Sequence, residues 1–175
     1  MATSEIAFDF DETKAIETIL YLAKRISRSG KYKICKMLYL ADKASLERYG
    51  RFIFGESYSA MKEGATPSKA YDLLKEFAEG CTDDIRVDGN AVVALRDANL
   101  DYLSESDIEC LDQTIAIYDK NPQKMYDDAH DGAWGKAWQS RKEGKQSADI
   151  PVRSIAHTLS NYRDLVDYLT NRSAE

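Results

Sequence analysis

Between Lys36 and Leu74 the chain reads KMLYLADKASLERYGRFIFGESYSAMKEGATPSKAYDLL and changes local character three times without a long loop. An apolar helical pattern gives way to an aromatic extended stretch studded with glycine, and then to a second helix started by proline. Ile34, Met37, Leu38, Ala41 and Ala44 form a stripe on a helix beginning near Lys31, wide enough that other elements must cover most of its circumference. Tyr49-Gly50 ends that helix, glycine supplying the left-handed cap. Phe52 and Phe54 alternate with Arg51 and Ile53, and Tyr58, Ala60 and Lys62 follow a Gly55-Glu56-Ser57 corner, which predicts a short extended pair or an ordered loop around residues 52–62. Thr66 is placed to cap the next helix and Pro67 to occupy its first turn, with Tyr71, Leu73, Leu74 and Phe77 continuing to Gly80.

The flanking chain extends this mainly helical pattern. Asp9 and Glu12 form a capping box ahead of Ile16, Ile19, Leu20 and Ala23, a helix expected to end near Ser29-Gly30. Ile85 and Val87, an Asp88-Gly89 turn, then Val92, Val93 and Leu95 predict a small antiparallel insert around 85–96. Ser104 through Asp107 is a second capping box, opening a helix with Ile108, Leu111, Ile115 and Tyr118 on one face and stopping at Asn121-Pro122. Residues 123–141 read as two short helices with Trp134 and Trp138 on a common face, and Gly144 to Ala148 as a linker. A last helix over about 151–170 carries Val152, Ile155, Leu159, Tyr162, Val166 and Leu169 in a narrow seam that docks back on its own domain. The fold class is therefore mainly α (α+β), one compact helical domain over 1–175.

Charge narrows the function. With 24 Lys and Arg against 30 Asp and Glu, the formal charge of -6 repels a phosphate backbone, so no direct nucleic-acid contact is expected. The cations Lys24, Arg25, Arg28, Lys31, Lys33 and Lys36 read as a solvated rim that steers a partner. An acidic N-terminus and the lack of a long apolar run predict a cytoplasmic protein with no membrane partner. Cys35, Cys81 and Cys110 match neither a metal pair nor a disulfide framework, and Cys81, just past a helix end, is expected to be the most exposed.

Two chemical constellations compete with bland explanations. Asp127, Asp128, His130 and Asp131 would make a partial metal site on a continuous helix; alternatively Asp131 caps a helix start ahead of Trp134. A cysteine paired with His130 or His157 would make a nucleophile, yet Cys35 and Cys110 neighbour apolar helix faces where cysteine acts as a small hydrophobe. The glycines offer no phosphate cradle, and nothing calls for a cofactor. Among the tyrosines, Tyr39 and Tyr71 read as core, while Tyr58 is the surface candidate.

Lys36, Leu38, Tyr39, Ala41 and Asp42, then Tyr49-Gly50, Gly55, Tyr58 through Lys62, Gly64, Pro67-Ser68 and Tyr71 through Leu74 stand in an order that resembles the Panacea domain, the SocA-like antitoxin family also found in phage-associated proteins. Leu103 to Asp107, and His130 with Trp134, extend the likeness to a core of about 34–140. The departure is Glu63-Gly64-Ala65, where relatives carry an aromatic residue or histidine, then glycine and proline. The resemblance implies a non-enzymatic antitoxin that neutralises a cognate protein toxin by direct contact. Toxins paired with the domain are diverse, and one branch resembles an adaptor that delivers its toxin to a protease, which makes a protease or chaperone the further partner. For such a contact the expected partner-binding residues are Tyr58, Lys62, Glu63 and Ser68 around the central turn, then His130, Trp134 and Trp138, with burial in the core the favoured role of the two tryptophans. The competing class is a metal-dependent or Cys/His hydrolase centred on His130.

Overall fold

In the computed structural model, which describes residues 5–80 and 82–172, the stripe on helix α2 (Lys31–Tyr49) is covered from every side. Its buried residues include Ile34, Met37, Leu38, Tyr39, Ala41 and Leu46, together with the polar Lys36, Asp42 and Ser45. Around it stand α1 (Glu12–Arg25), α3 (Ser68–Glu79), α4 (Glu105–Tyr118), α5 (Pro122–Ala129) and α7 (Val152–His157). Helix α6 (Gly132–Ser140) lies against a three-stranded antiparallel sheet, and α8 (Tyr162–Arg172) packs on α7. The described residues thus form eight α-helices and two small antiparallel sheets, the mainly α (α+β) architecture expected. No described helix is long and apolar enough to cross a membrane.

The three-stranded sheet has the order β2 (Gly64–Pro67), β1 (Tyr58–Met61), β5 (Ala148–Ile150). Tyr58 pairs with Pro67 and Met61 with Gly64, so Lys62 and Glu63 form the turn of a tight hairpin. Of the two readings of this stretch, the ordered loop describes residues 52–57 and the extended one Tyr58–Met61. Residues 52–54 are not a strand, and Phe52, Ile53 and Phe54 are all buried rather than alternating. The segment 8–11 runs beside them, with Asp11 N–H donating to the Phe54 carbonyl at 2.9 Å and Phe8 and Phe10 against Phe52 and Phe54. β5 starts at the last residue of the expected linker 144–148 and fills the gap before Pro151, a stretch with no strand signal in the sequence.

Several boundaries move because tertiary bonds outweigh local signals. Asp11, not Asp9, caps α1, accepting Lys14 N–H at 3.0 Å. That helix stops at Arg25, since Ser27 turns aside to donate through its N–H and Oγ to Asp119. Thr66 does not cap α3; its hydroxyl donates to the Gly64 carbonyl. The buried Glu56 carboxylate accepts the N–H groups of Ser57, Lys69 and Ala70 instead, and satisfies the helix start from a distance. The insert pairs β3 (Ile85–Asp88) with β4 (Ala91–Ala94), so its turn is Gly89-Asn90, one residue later than predicted. The shift places the Asn90 carbonyl on Lys31 N–H at 2.8 Å, and Arg96 pins the insert to α1 through two bonds to Glu17 at 2.7 and 3.0 Å. The predicted last helix is two, broken at 158–161, where Thr158 Oγ1 donates to Ile155 and Asn161 Nδ2 to Glu47. The capping box at Ser104 and Asp107 is present as read.

Gly55 allows the close approach of the N-terminal segment. Its φ is 74°, and a Cβ there would stand 1.8 Å from the Asp9 carbonyl oxygen, which is backbone and cannot swing away. Gly55→Ala is therefore expected to destabilise the protein by about 3 kcal/mol or more, from the positive φ and the displaced segment together. Urea unfolding checks it; a loss under about 1 kcal/mol would mean that segment 8–11 adds little to the fold.

Candidate functional site

The β1–β2 hairpin projects its exposed turn beside a cleft of about 760 Å³. The turn residues Lys62 and Glu63 line its mouth, and the buried Cys35, Lys36 and Thr66 lie deeper in its lining. Tyr32 of α2, Tyr71 of α3 and Trp138 of α6 also line it, with the Arg141 guanidinium 3.5 Å above the Trp138 ring centre. Lys31, Arg141 and Lys145 complete a basic lining in which Glu63 is the carboxylate.

The hairpin is braced from behind by an aromatic ladder. Tyr126 stacks on His130 at 4.0 Å, His130 meets Trp134 edge-on at 4.6 Å, and Trp134 stacks on Trp138 at 5.9 Å. Trp134 Nε1 donates to the Met61 carbonyl at 2.7 Å, fixing the last residue of β1. His130 Nδ1 is 2.7 Å from the Tyr126 carbonyl, which makes it the protonated nitrogen and leaves Nε2 buried without a hydrogen-bond partner. Gly64 accommodates both neighbours: a Cβ there would lie 2.9 Å from His130 Cε1 and 3.2 Å from Lys36 Nζ.

Of the expected partner-binding residues, Lys62, Glu63 and Trp138 come together at the cleft. His130 and Trp134 hold the hairpin from its other side. Tyr58 corrects the surface reading: only 2% exposed, it sits in β1 and donates to Asp42 Oδ2 at 2.6 Å. Ser68, half-buried at the start of α3, shares a hydrogen bond with Ser59 at 2.9 Å at the base of the hairpin.

Lys36 is the largest correction. Placed among rim cations by its charge, it is 2% exposed and donates to the Ala65 carbonyl at 2.9 Å. The part-buried Lys14 and Lys43 each meet a carboxylate at 2.8 Å, whereas Lys36 has none within ion-pair distance among the described residues. Burial lowers its ammonium to about 8, with Cys35 and then Glu63 acting the other way. Its signal in the sequence was position: Ile34, Cys35, Met37, Leu38 and Tyr39 surround it, a run with no solvent-facing side. Arg141 and Lys145 gave no signal, because they stand in irregular chain.

Among the described residues no group of His, Cys, Asp and Glu is placed to hold a metal ion. Asp131 accepts from Trp134 N–H, Tyr39 and Lys43, as the capping alternative held; Asp128 accepts from Tyr118, and Asp127 from Gln123. Burial pushes the Cys35 thiol up to about 12 and the Cys110 thiol up to about 11, away from the reactive thiolate. Cys81 lies outside the described residues.

A family model described as antitoxin SocA-like, Panacea domain, matches residues 34–135, which contain the hairpin, the aromatic ladder up to Trp134 and all of α2 beyond Lys33. No curated protein and no solved structure matches the chain.

The buried ammonium has a measurable cost. Below about pH 8 the folded chain must hold the charge in a place that resists it; between about 8 and 10.5 the unfolded chain keeps a proton that the folded one has lost, so stability rises through that window. Lys36→Met removes the cost. It is expected to stabilise the protein at pH 7 by about 1–3 kcal/mol once the lost bond to Ala65 is deducted, with the gain shrinking toward pH 10.5. Denaturant unfolding at both pH values checks this, and a gain independent of pH would exclude the charge as its source.

Proposed function

The chain belongs to the Panacea-domain family of SocA-like antitoxins, and from that premise we propose that it neutralises a cognate protein toxin by binding it directly, with the Lys62-Glu63 turn as the centre of the contact surface. The observation that carries the placement is the contrast at this turn. Its two residues are exposed and make no hydrogen bond or ion pair among the described residues, while the strands behind them are locked by Asp42, Lys36 and Trp134. A rigid frame presenting unengaged side chains suits recognition, because little ordering entropy is lost on binding.

Neutralisation proceeds by contact rather than catalysis, in the cytoplasm, and the toxin is the product of a neighbouring reading frame. The acidic whole steers a basic partner over long range, while close complementarity at the turn sets specificity. Glu63 then distinguishes this chain's toxin from those of relatives that carry an aromatic residue or histidine there.

The test is co-expression with each adjacent reading frame, followed by affinity measurement on the pair that restores growth. Glu63→Ala and Lys62→Ala are expected to leave the melting temperature unchanged and to weaken toxin binding about tenfold each, the range for a specific interface contact. Unchanged affinity in both variants would place the interface elsewhere. A toxin level that collapses only when a protease is present would replace occlusion by delivery.

A further inference from the structure

The cleft beside the turn has features that toxin contact at the turn does not require. Five cations line it, Lys31, Lys36, Lys62, Arg141 and Lys145, against the carboxylate of Glu63, in a protein whose formal charge is -6. Among the described residues none of the five takes part in an ion pair, although Lys14, Lys33, Lys43 and Arg51 elsewhere each have an aspartate. Lys36 is the most telling. Its ammonium uses one of three N–H donors on Ala65 and stands 5.1 Å from the centre of the Tyr32 ring. A charge so buried is ordinarily matched by a carboxylate of the same chain.

The remaining surface is aromatic. Tyr32, Tyr71 and Trp138 line the cleft, the Trp138 ring already stacked on Trp134 and covered by the Arg141 guanidinium, and the volume of about 760 Å³ lies within the range of small-molecule sites. Convergent cations beside flat rings suit a ligand that has both a negative group and a planar body.

We propose that this cleft binds a small organic anion of the nucleoside-phosphate class, its negative group held by the cleft's cations and its ring lying among Tyr32, Tyr71 and Trp138. The inference stands without the antitoxin reading, since it concerns the isolated chain. It also gives Lys36 a role beyond folding: the site retains a destabilising charge because the charge is used. As pH rises past about 8 the ammonium is lost, and affinity falls with it.

The experiment titrates the purified chain, without toxin, with AMP, inorganic phosphate and adenosine, followed by tryptophan fluorescence and calorimetry. The expected result is saturable one-to-one binding of AMP, with phosphate weaker by about tenfold or more and adenosine weaker still. Lys36→Met and Arg141→Ala are each expected to weaken AMP by at least about tenfold. Arg141 is half-buried in irregular chain, so its variant keeps the test valid if Lys36→Met alters the fold. Glu63→Ala is expected to tighten AMP severalfold, the opposite of its effect on toxin binding. No saturation by AMP up to about 10 mM, binding equal to that of phosphate alone, or indifference to both cation variants would overturn the proposal.

Discussion

Asp42 ties the hairpin to the central helix through two hydrogen bonds inside the core. Its Oδ1 accepts Ile53 N–H at 2.7 Å and its Oδ2 accepts the Tyr58 hydroxyl at 2.6 Å. The first bond turns the buried aromatic segment 52–54 back across α2, and the second sets where β1 begins. Tyr58 is then held edge-on between Tyr39 and Phe52 at 5.0 and 5.5 Å. The arrangement is costly: burial pushes the Asp42 carboxyl up to about 7, and the neighbouring Glu56 and Asp107 carboxylates act in the same direction. The two donors offset part of that cost. An apolar residue at 42 would escape the desolvation but would leave Ile53 N–H and the Tyr58 hydroxyl without partners in the core.

The features that could be read from the sequence were those whose partners lie close along the chain. The Ser104–Asp107 capping box closes over three residues and α2 declares itself by an unbroken apolar pattern, so both were legible. The cap of α3 was not, because its acceptor, Glu56, stands more than three turns' worth of chain before the groups it satisfies. β5 is three residues long and exists through pairing with β1, some ninety positions earlier, which no local pattern records. The break between α7 and α8 was hidden for a different reason. Leu159, Leu165 and Leu169 remain buried on both sides of the turn, so apolar spacing continues while the helix does not, and the evidence for the break is a polar side chain, Asn161, reaching Glu47.

Charge misled where apolar spacing did not. Lys36 was grouped with the rim because lysine is seldom buried, yet its neighbours on α2 leave it no exposed face. The same averaging concealed the cleft. A formal charge of -6 describes the surface as a whole, whereas five cations meet where α2, the hairpin turn and the irregular chain after α6 converge. Lys62, Glu63 and Trp138 are candidates through the resemblance and the central turn, but their meeting at one cleft follows from the path of α6 along the sheet, a long-range fact.

Residues 63, 64 and 65 of the hairpin have different freedoms, and the structure accounts for each. Residue 63 is exposed at the turn and makes no hydrogen bond or ion pair among the described residues, so its side chain can change at little cost to the fold. Residue 64 has φ of 112° and faces the His130 ring and the Lys36 ammonium too closely for any side chain, so glycine is retained. Residue 65 is fully buried, but what the fold uses there is its carbonyl, the acceptor for Lys36, and alanine supplies that group as well as proline does. Freedom to change side chain is thus confined to the tip of the hairpin, while the buried lysine and the histidine behind it leave no room for one at residue 64.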